Sequence, residues 1–243
     1  MSVKENKESV NDDDLGSLFR FLNTVFHNLK SPIGAMISYT SALKMGIDGD
    51  VNEKQMESLE MIMKSGSNAI NMIQSIREIS QLKSGVLQIE IDTADINDLI
   101  RYSIEDCQKS AKEKGLEIKE NLPEEELLAN VDSKQIMRAI NLLLTNAIEY
   151  TSEGWIILEA KKNEDSTIDI VVKDTGKGIE EDDIESILHA YDNESDKEGK
   201  QYAKKGFGLL LTRLIVEEHK GQISVSSVVN EGSSFTISIP QNL

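Results

Sequence analysis

Residues 15–43, LGSLFRFLNTVFHNLKSPIGAMISYTSAL, carry the pattern that decides the fold of the N-terminal part of the chain. Core-type positions recur there in alternating steps of four and three, a heptad spacing that places them along one side of a helix. The positions are Leu15, Phe19, Leu22, Phe26, Leu29, Ile33, Met36, Thr40 and Leu43. The stretch therefore predicts a long helix with a narrow buried stripe.

A second helix is predicted from about residue 51 to residue 82, after the turn sequence GIDGD at 46–50. It carries another apolar stripe, which changes phase after Met63 and consists of Met56, Leu59, Met63, Ile70, Ile73, Ile76 and Ile79. Two antiparallel helices cannot bury both stripes alone. We therefore expect two hairpins to pair into a four-helix bundle, which makes the protein a homodimer.

Composition and charge narrow the class of protein. The 243 residues are 39% hydrophobic, which is enough for a buried core. The formal charge of -17 disfavours nucleic acid and anionic membrane surfaces as partners. No apolar run approaches the about 18 residues that a membrane span needs, and the single Cys107 cannot form an internal disulfide. We expect a cytoplasmic chain, with a fragment cut from a membrane receptor as the open alternative.

The rest of the chain predicts a different architecture. Residues 1–14 are polar and predict a loose tail before the hairpin at 15–85. Over 86–243, strand and helix patterns alternate and predict an α/β sandwich, so that the fold class as a whole is α+β. The strand candidates are 86–92, 116–122, 155–162, 167–174, 221–227 and 233–240, and the helix candidates are 95–115, 132–150 and one that starts at Gly206.

The segment DTGKGI, residues 174–179, suggests a ligand site at the end of a predicted strand. Its glycines, Gly176 and Gly178, allow a tight turn and a close approach of the backbone to a ligand beside Asp174. An ordinary turn is the alternative interpretation of this segment alone.

Two further segments also suggest a ligand site. Gly206 and Gly208 precede a predicted helix, whose N-terminal N–H groups favour phosphate. Asn146 interrupts the apolar run NLLLTNAIEY, where a hydrogen-bonded structural amide is the alternative. Together with DTGKGI, these features occur in an order and at separations that favour a nucleotide pocket.

Five segments resemble, in order, the H, N, G1 and G2 boxes and the final strand of sensor histidine kinases of two-component systems. The segments are HNLKSPI, NLLLTNAIEYT, DTGKGI, GFGLLL and EGSSFTISIP. The resemblance covers residues 15–243. It implies a dimerisation and histidine phosphotransfer hairpin that forms a dimeric four-helix bundle, followed by a Bergerat-type ATP-binding domain. It also implies ATP and Mg²⁺ as cofactors and the receiver domain of a response regulator as a partner in trans.

The same resemblance implies roles for individual residues. His27 would be the phosphoacceptor, Asn146 the Mg²⁺ ligand, and Asp174 the carboxylate that receives the adenine amino group. The remaining nucleotide contacts would be Tyr150, Gly176, Gly178, Lys204, Lys205, Gly206 and Gly208, under a lid formed by residues 192–205. Because His27 follows the seam residue Phe26, we expect its side chain on the outer surface of the bundle.

Three positions would affect phosphorylation of His27 or dephosphorylation of the partner. The family commonly has an acid after the histidine, whereas this chain has Asn28, whose amide can orient the ring but cannot take its proton. Glu149 stands where a basic residue is usual. Ser31 lies one turn beyond His27 and either positions a water that dephosphorylates the partner or tolerates a kink at Pro32.

The leading hypothesis is a histidine kinase core that binds Mg-ATP, autophosphorylates His27 and transfers the phosphoryl group to an aspartate of a separate response regulator. The alternative is a phosphotransfer or scaffold protein with weak or absent autokinase activity, which Asn28 and Glu149 favour. A stand-alone ATPase is disfavoured by the helical hairpin.

Overall fold

The computed structural model describes residues 12–188 and 207–242. The chain divides into two compact units between Leu87 and Gln88. Some predicted site residues lie outside the described ranges, namely Lys204, Lys205, Gly206 and the lid at 192–205.

The first unit is the predicted helical hairpin, built from α1 (Asp12–Lys44) and α2 (Glu53–Lys83). The predicted tail extends to residue 14, whereas α1 already begins at Asp12, and acidic residues favour a first helical turn. α1 runs without interruption through Pro32. α2 begins at a capping box, in which the Asn52 side chain accepts from the Gln55 N–H at 3.0 Å and the Gln55 side chain accepts from the Asn52 N–H at 2.9 Å.

The two helices approach closely around Gly66. A Cβ atom added there would lie 2.9 Å from Cγ1 of Ile37, so the small residue allows the contact. Much of the predicted apolar stripe nevertheless faces away from the partner helix of the same chain. Met36 and Leu29 of the α1 stripe are 62% and 45% exposed, and Met61, an apolar residue of α2 outside its predicted stripe, is 64% exposed. A single hairpin therefore leaves a large apolar surface uncovered.

The second unit contains the remaining elements. Its helices are α3 (Ile96–Glu113), α4 (Ser133–Tyr150), α5 (Glu181–Leu188) and α6 (Gly208–Glu218). Its strands are β1 (Asp92–Asp95), β2 (Glu117–Asn121), β3 (Leu128–Val131), β4 (Trp155–Lys162), β5 (Thr167–Asp174), β6 (Gln222–Val228) and β7 (Gly232–Pro240). The α+β fold class is confirmed.

A five-stranded sheet in the order β2-β4-β5-β7-β6 forms the base of this unit, and β1 pairs with β3 in a separate two-stranded sheet. β2 runs parallel to β4, while the other neighbours in the large sheet are antiparallel. Alternate residues of the sheet are fully buried together with one face of α4. The core includes Ile156, Leu158, Ile168, Ile170, Ile237, Ile136, Ile140 and Leu144.

Three predictions about elements need correction. Residues 86–91 are not a strand, and β1 begins only at Asp92, because the partner strand β3 pairs with residues 92–95. Neither β3 nor α5 was predicted, since each is short and carries no long hydrophobic period. The helix predicted to start at Gly206 is α6, which begins at Gly208.

Within the two described ranges, none of the helices combines the length and the apolar character that crossing a membrane requires.

Candidate functional site

A cavity of about 410 Å³ lies between α4, the loop after β5, α5, the start of α6 and the turn between β6 and β7. Its wall includes predicted site residues from distant segments, namely Asn146, Tyr150, Asp174, Gly178 and Gly208. The fold therefore brings these residues together around one space that is large enough for a small-molecule ligand.

Asp174 is a buried carboxyl group at the end of β5. Its Oδ1 accepts hydrogen bonds from the N–H of Gly176 at 2.8 Å and from the N–H of Ser233 at 3.3 Å. Within the described residues no hydrogen bond ends on Oδ2, which leaves that oxygen as an acceptor for a ligand. Burial raises the pKa of Asp174 above the ordinary carboxyl value, and the two N–H donors lower it by less.

The two glycines of DTGKGI are required by close contacts. A Cβ atom on Gly176 would lie 2.6 Å from the carbonyl oxygen of Tyr150. Gly178 has φ +68, and a Cβ atom there would lie 2.1 Å from the carbonyl oxygen of Val228. A side chain at either position would push the loop away from the cavity wall.

Sequence reasoning missed part of the Asp174 environment. Ser233 supplies one of the two N–H donors because β5 and β7 pair with Asp174 opposite Ser233. The segment EGSSFTISIP contained this residue, but only the strand register shows which of its N–H groups reaches the carboxylate. Phe235 adds an apolar part of the wall from the same strand.

The C-terminal end of α4 positions Tyr150 and is fully hydrogen-bonded. Lys114, which follows α3, donates from Nζ to the carbonyls of Ile148 at 2.6 Å and Glu149 at 3.0 Å. The carbonyl of Tyr150 accepts from the N–H of Lys177 at 3.3 Å. These bonds satisfy carbonyls that a helix end leaves unpaired, and they tie the last turn of α4 to two neighbouring segments.

Lys177 is a second residue that the sequence did not single out. It lines the cavity, and its Nζ lies 4.6 Å from the centroid of the Tyr150 ring, within the range of a cation–π contact. Burial raises the pKa of the Tyr150 hydroxyl above its ordinary value, and the nearby Glu149 carboxylate raises it further. The tyrosine is therefore a neutral ring at physiological pH.

Two further parts of the cavity wall suit an anion and a hard cation. Gly208 begins α6 and lines the cavity, and the side chain of the N-cap residue Phe207 makes no cap hydrogen bond. The positive end of the helix dipole therefore lies at the cavity wall. Asn146 lines the cavity with an amide whose oxygen is a suitable Mg²⁺ ligand. The part of the chain that the structure describes holds no cluster of three or more acidic, histidine or cysteine side chains for a metal.

His27, Asn28 and Ser31 belong to the first unit. All three are exposed on α1, and His27 and Ser31 are one helical turn apart on the same face. His27 is thus accessible in the hairpin of a single chain.

Two families match the chain. Residues 131–243 match the family described as histidine kinase-, DNA gyrase B-, and HSP90-like ATPase, and residues 17–85 match the His Kinase A (phospho-acceptor) domain. Together they cover most of both units.

Several curated proteins and a solved structure are also similar to this chain. The circadian input-output histidine kinase CikA of Synechococcus elongatus is 29% identical over 91% of this chain and 30% of its own length. The sensor histidine kinase YcbM of Bacillus subtilis is 28% identical over 92% of this chain and 71% of its own length. Full-length ShkA in complex with AMPPNP has a TM-score of 0.65 at 20% identity, over 91% of this chain and 45% of that one. The chain spans 24% to 37% of the length of several curated relatives.

Replacing Asp174 with Asn should change how stability depends on pH. Because burial raises the folded-state pKa of Asp174, its ionisation opposes folding, and stability from this group is lost as pH rises through the carboxyl range. An amide keeps an acceptor for both N–H groups and does not ionise. The free energy of unfolding of Asp174→Asn, relative to wild type, should therefore rise between about pH 4 and pH 7, measured by urea unfolding with the fluorescence of Trp155.

Asp165 supplies a control, because its pKa is shifted in the opposite direction to that of Asp174. Hydrogen bonds from the Thr167 hydroxyl and N–H hold the pKa of this exposed carboxyl below its ordinary value. Its ionised form stabilises the fold, so the relative stability of Asp165→Asn should fall over the same pH range. A flat profile for Asp174→Asn, or parallel slopes for the two variants, would contradict the assigned effect of burial.

Proposed function

The chain belongs to the sensor histidine kinases, and on that basis we propose that it is a kinase core that binds Mg-ATP, autophosphorylates His27 and transfers the phosphoryl group to an aspartate of a separate response regulator. Residues 15–85 would form the dimerisation and phosphotransfer hairpin and residues 86–243 the catalytic domain of a cytoplasmic signalling protein. The observation that carries the proposal is the single cavity that joins Asn146, Tyr150 and Asp174.

Asp174 and Tyr150 would bind the base. The unbonded Oδ2 of Asp174 accepts the adenine amino group, while Oδ1 stays fixed by backbone N–H donors. The ring of Tyr150 offers an apolar face beside it. Gly176 and Gly178 keep the loop close enough for this contact.

The phosphates would lie toward the start of α6. N–H groups at Gly208 and the helix dipole favour their negative charge, and Gly206, Lys204 and Lys205 precede this helix in the sequence. The Asn146 side chain would hold the metal. When bound, Mg-ATP supplies the phosphoryl group, and the metal offsets the charge that develops during transfer.

The transfer step needs a nucleophile and an acceptor for a proton. A neutral ring nitrogen of His27 forms the bond to the γ-phosphorus, and the bond from that phosphorus to the bridging oxygen of ADP breaks. The ring proton must then leave, and the amide of Asn28 can orient the ring but cannot accept that proton. The hydroxyl of Ser31 lies on the same face of α1 as His27. It would position a water that later removes phosphate from the partner, and toleration of Pro32 in the helix is the alternative role.

The uncovered apolar surface of the hairpin supports the proposed dimerisation. Leu29 is 45% exposed and Met36 is 62% exposed in a single chain, although both belong to the predicted seam. A groove between α1 and α2 lies next to this surface and is lined by apolar side chains, namely Ile33, Ile37, Met61 and Ile62. A second hairpin would bury these side chains in a four-helix bundle.

His27→Gln tests the proposed phosphoacceptor. Incubation of the wild-type chain with γ-labelled Mg-ATP should give a protein label that is acid-labile and base-stable, as expected for a phosphorylated histidine. The label should fall to background in His27→Gln, while nucleotide binding, measured by calorimetry, stays unchanged. Label that persists in the variant would place the phosphoryl group on another residue.

Asn28→Glu separates the kinase from the alternative phosphotransfer or scaffold protein with weak or absent autokinase activity. If the missing proton acceptor limits autophosphorylation, a carboxylate at this position should speed labelling by roughly tenfold or more. The matched control is Ala35→Glu, which makes the same change of charge at an exposed position of α1 one heptad beyond Asn28. An unchanged rate in Asn28→Glu would remove this explanation, and ATP binding without any label would favour the alternative.

Met36→Glu tests the dimer. Light scattering should find a wild-type dimer at micromolar concentration. A carboxylate buried in an apolar bundle has no partner there, so the variant should weaken dimerisation on the order of 100-fold. Asn71→Glu, exposed on α2 outside the groove, adds the same charge and should remain dimeric. A wild-type monomer, or equal effects of both variants, would contradict the proposed interface.

A further inference from the structure

The charges around the cavity do not match an anionic ligand well. The cavity is lined by three acidic residues, Asp174, Glu180 and Asp183. The described part of its wall contains a single cation, Lys177. The whole chain carries a formal charge of -17, which adds a repulsive background for a nucleotide. A cation on the wall would therefore contribute strongly to binding a phosphate-bearing ligand.

The backbone of Lys177 is fixed on both sides of the residue. Its N–H donates to the carbonyl of Tyr150 at 3.3 Å, and its carbonyl accepts from the N–H of Asn230 at 2.8 Å. The side chain therefore starts from a defined point on the wall, between two glycines that have no side chains of their own. Its ammonium group lies 4.6 Å from the centre of the Tyr150 ring.

We propose that Lys177 is a nucleotide-contacting residue whose ammonium group neutralises phosphate charge on the bound ligand, an inference that rests on the proposed ATP site. Tyr150 lies one helical turn from Asn146 on α4, so the contact with its ring holds the ammonium on the side of the cavity where metal-bound phosphates would lie. A cation–π contact at an exposed site is weaker than a charge-assisted hydrogen bond to phosphate. The flexible stem of the side chain lets the ammonium exchange the ring for a phosphate oxygen when the nucleotide binds.

If the charge of Lys177 acts on phosphate, removing it should weaken binding more for ligands that carry more phosphate groups. Calorimetric titration of the full chain with adenosine, AMP and Mg-ADP should show that Lys177→Met weakens binding more as the ligand gains phosphates. The loss should be below about twofold for adenosine and about three- to tenfold for Mg-ADP. The loss for Mg-ADP should shrink at high salt because exposed charges are screened.

Two variants make the result specific. Lys177→Arg keeps the charge and should bind Mg-ADP within about twofold of wild type. Lys173→Met removes the same charge from an exposed residue of β5 that does not line the cavity, and it should also stay within about twofold.

The outcomes distinguish the inference from the proposal beneath it. A wild-type chain that binds none of the three ligands overturns the proposed function, and the inference with it. Wild-type binding of Mg-ADP that Lys177→Met leaves intact overturns the inference alone. Equal losses for adenosine and Mg-ADP, or a loss in Lys177→Arg as large as in Lys177→Met, overturn it as well, because the role would then lie in shape rather than charge.

Discussion

The geometry of the candidate site depends on how closely the start of β7 approaches the end of β5. Gly232 has φ +122, and a Cβ atom there would lie 1.9 Å from the carbonyl oxygen of Asp174, so that only glycine permits the approach. This contact brings the N–H of Ser233 to Oδ1 of the Asp174 carboxyl group. The carboxyl group is thus positioned by backbone donors rather than by a charged partner. Oδ2 of the same carboxyl group stays available to accept a hydrogen bond from a ligand. The register of β5 against β7 sets its position in the cavity wall.

The opposite wall depends on α4, and neighbouring helices fix both of its ends. At the N-terminus, the N–H of Asp132 donates to Nε2 of His219 at 3.0 Å, while Nδ1 of His219 lies 2.7 Å from a carbonyl of α6. The ring is therefore a neutral tautomer with its proton on Nδ1, and it is buried as a structural link. At the C-terminus, Lys114 binds two carbonyls of the last turn. Asn146 lies between these two fixed points and Tyr150 directly follows the second one, which limits how far the helix can shift along its axis.

Much of this organisation could be predicted from the sequence because it depends on local pattern. The heptad spacing predicted α1, the strongly apolar run predicted α4, and alternation predicted β4 and β5 with their observed bounds. The order of the boxes predicted that Asn146 and Asp174 would share a site. The rest depends on contacts between distant segments. Ser233 reaches Asp174 only through the pairing of β5 with β7, and the position of Lys177 beside Tyr150 follows from a backbone hydrogen bond that no local pattern encodes.

The two units differ in how completely each one covers its own apolar surface. Every side chain among the largest fully buried ones in the described ranges belongs to the second unit, from Ile96 to Ile215. Among residues 24–87, the hairpin buries only Thr40, Ser75 and Leu82. A unit with its own core keeps its fold independently of protein concentration, whereas a hairpin that needs a second copy gains its stability by mass action. If the hairpin pairs as proposed, the surface that presents His27 would depend on assembly, whereas the described wall of the cavity comes from one chain.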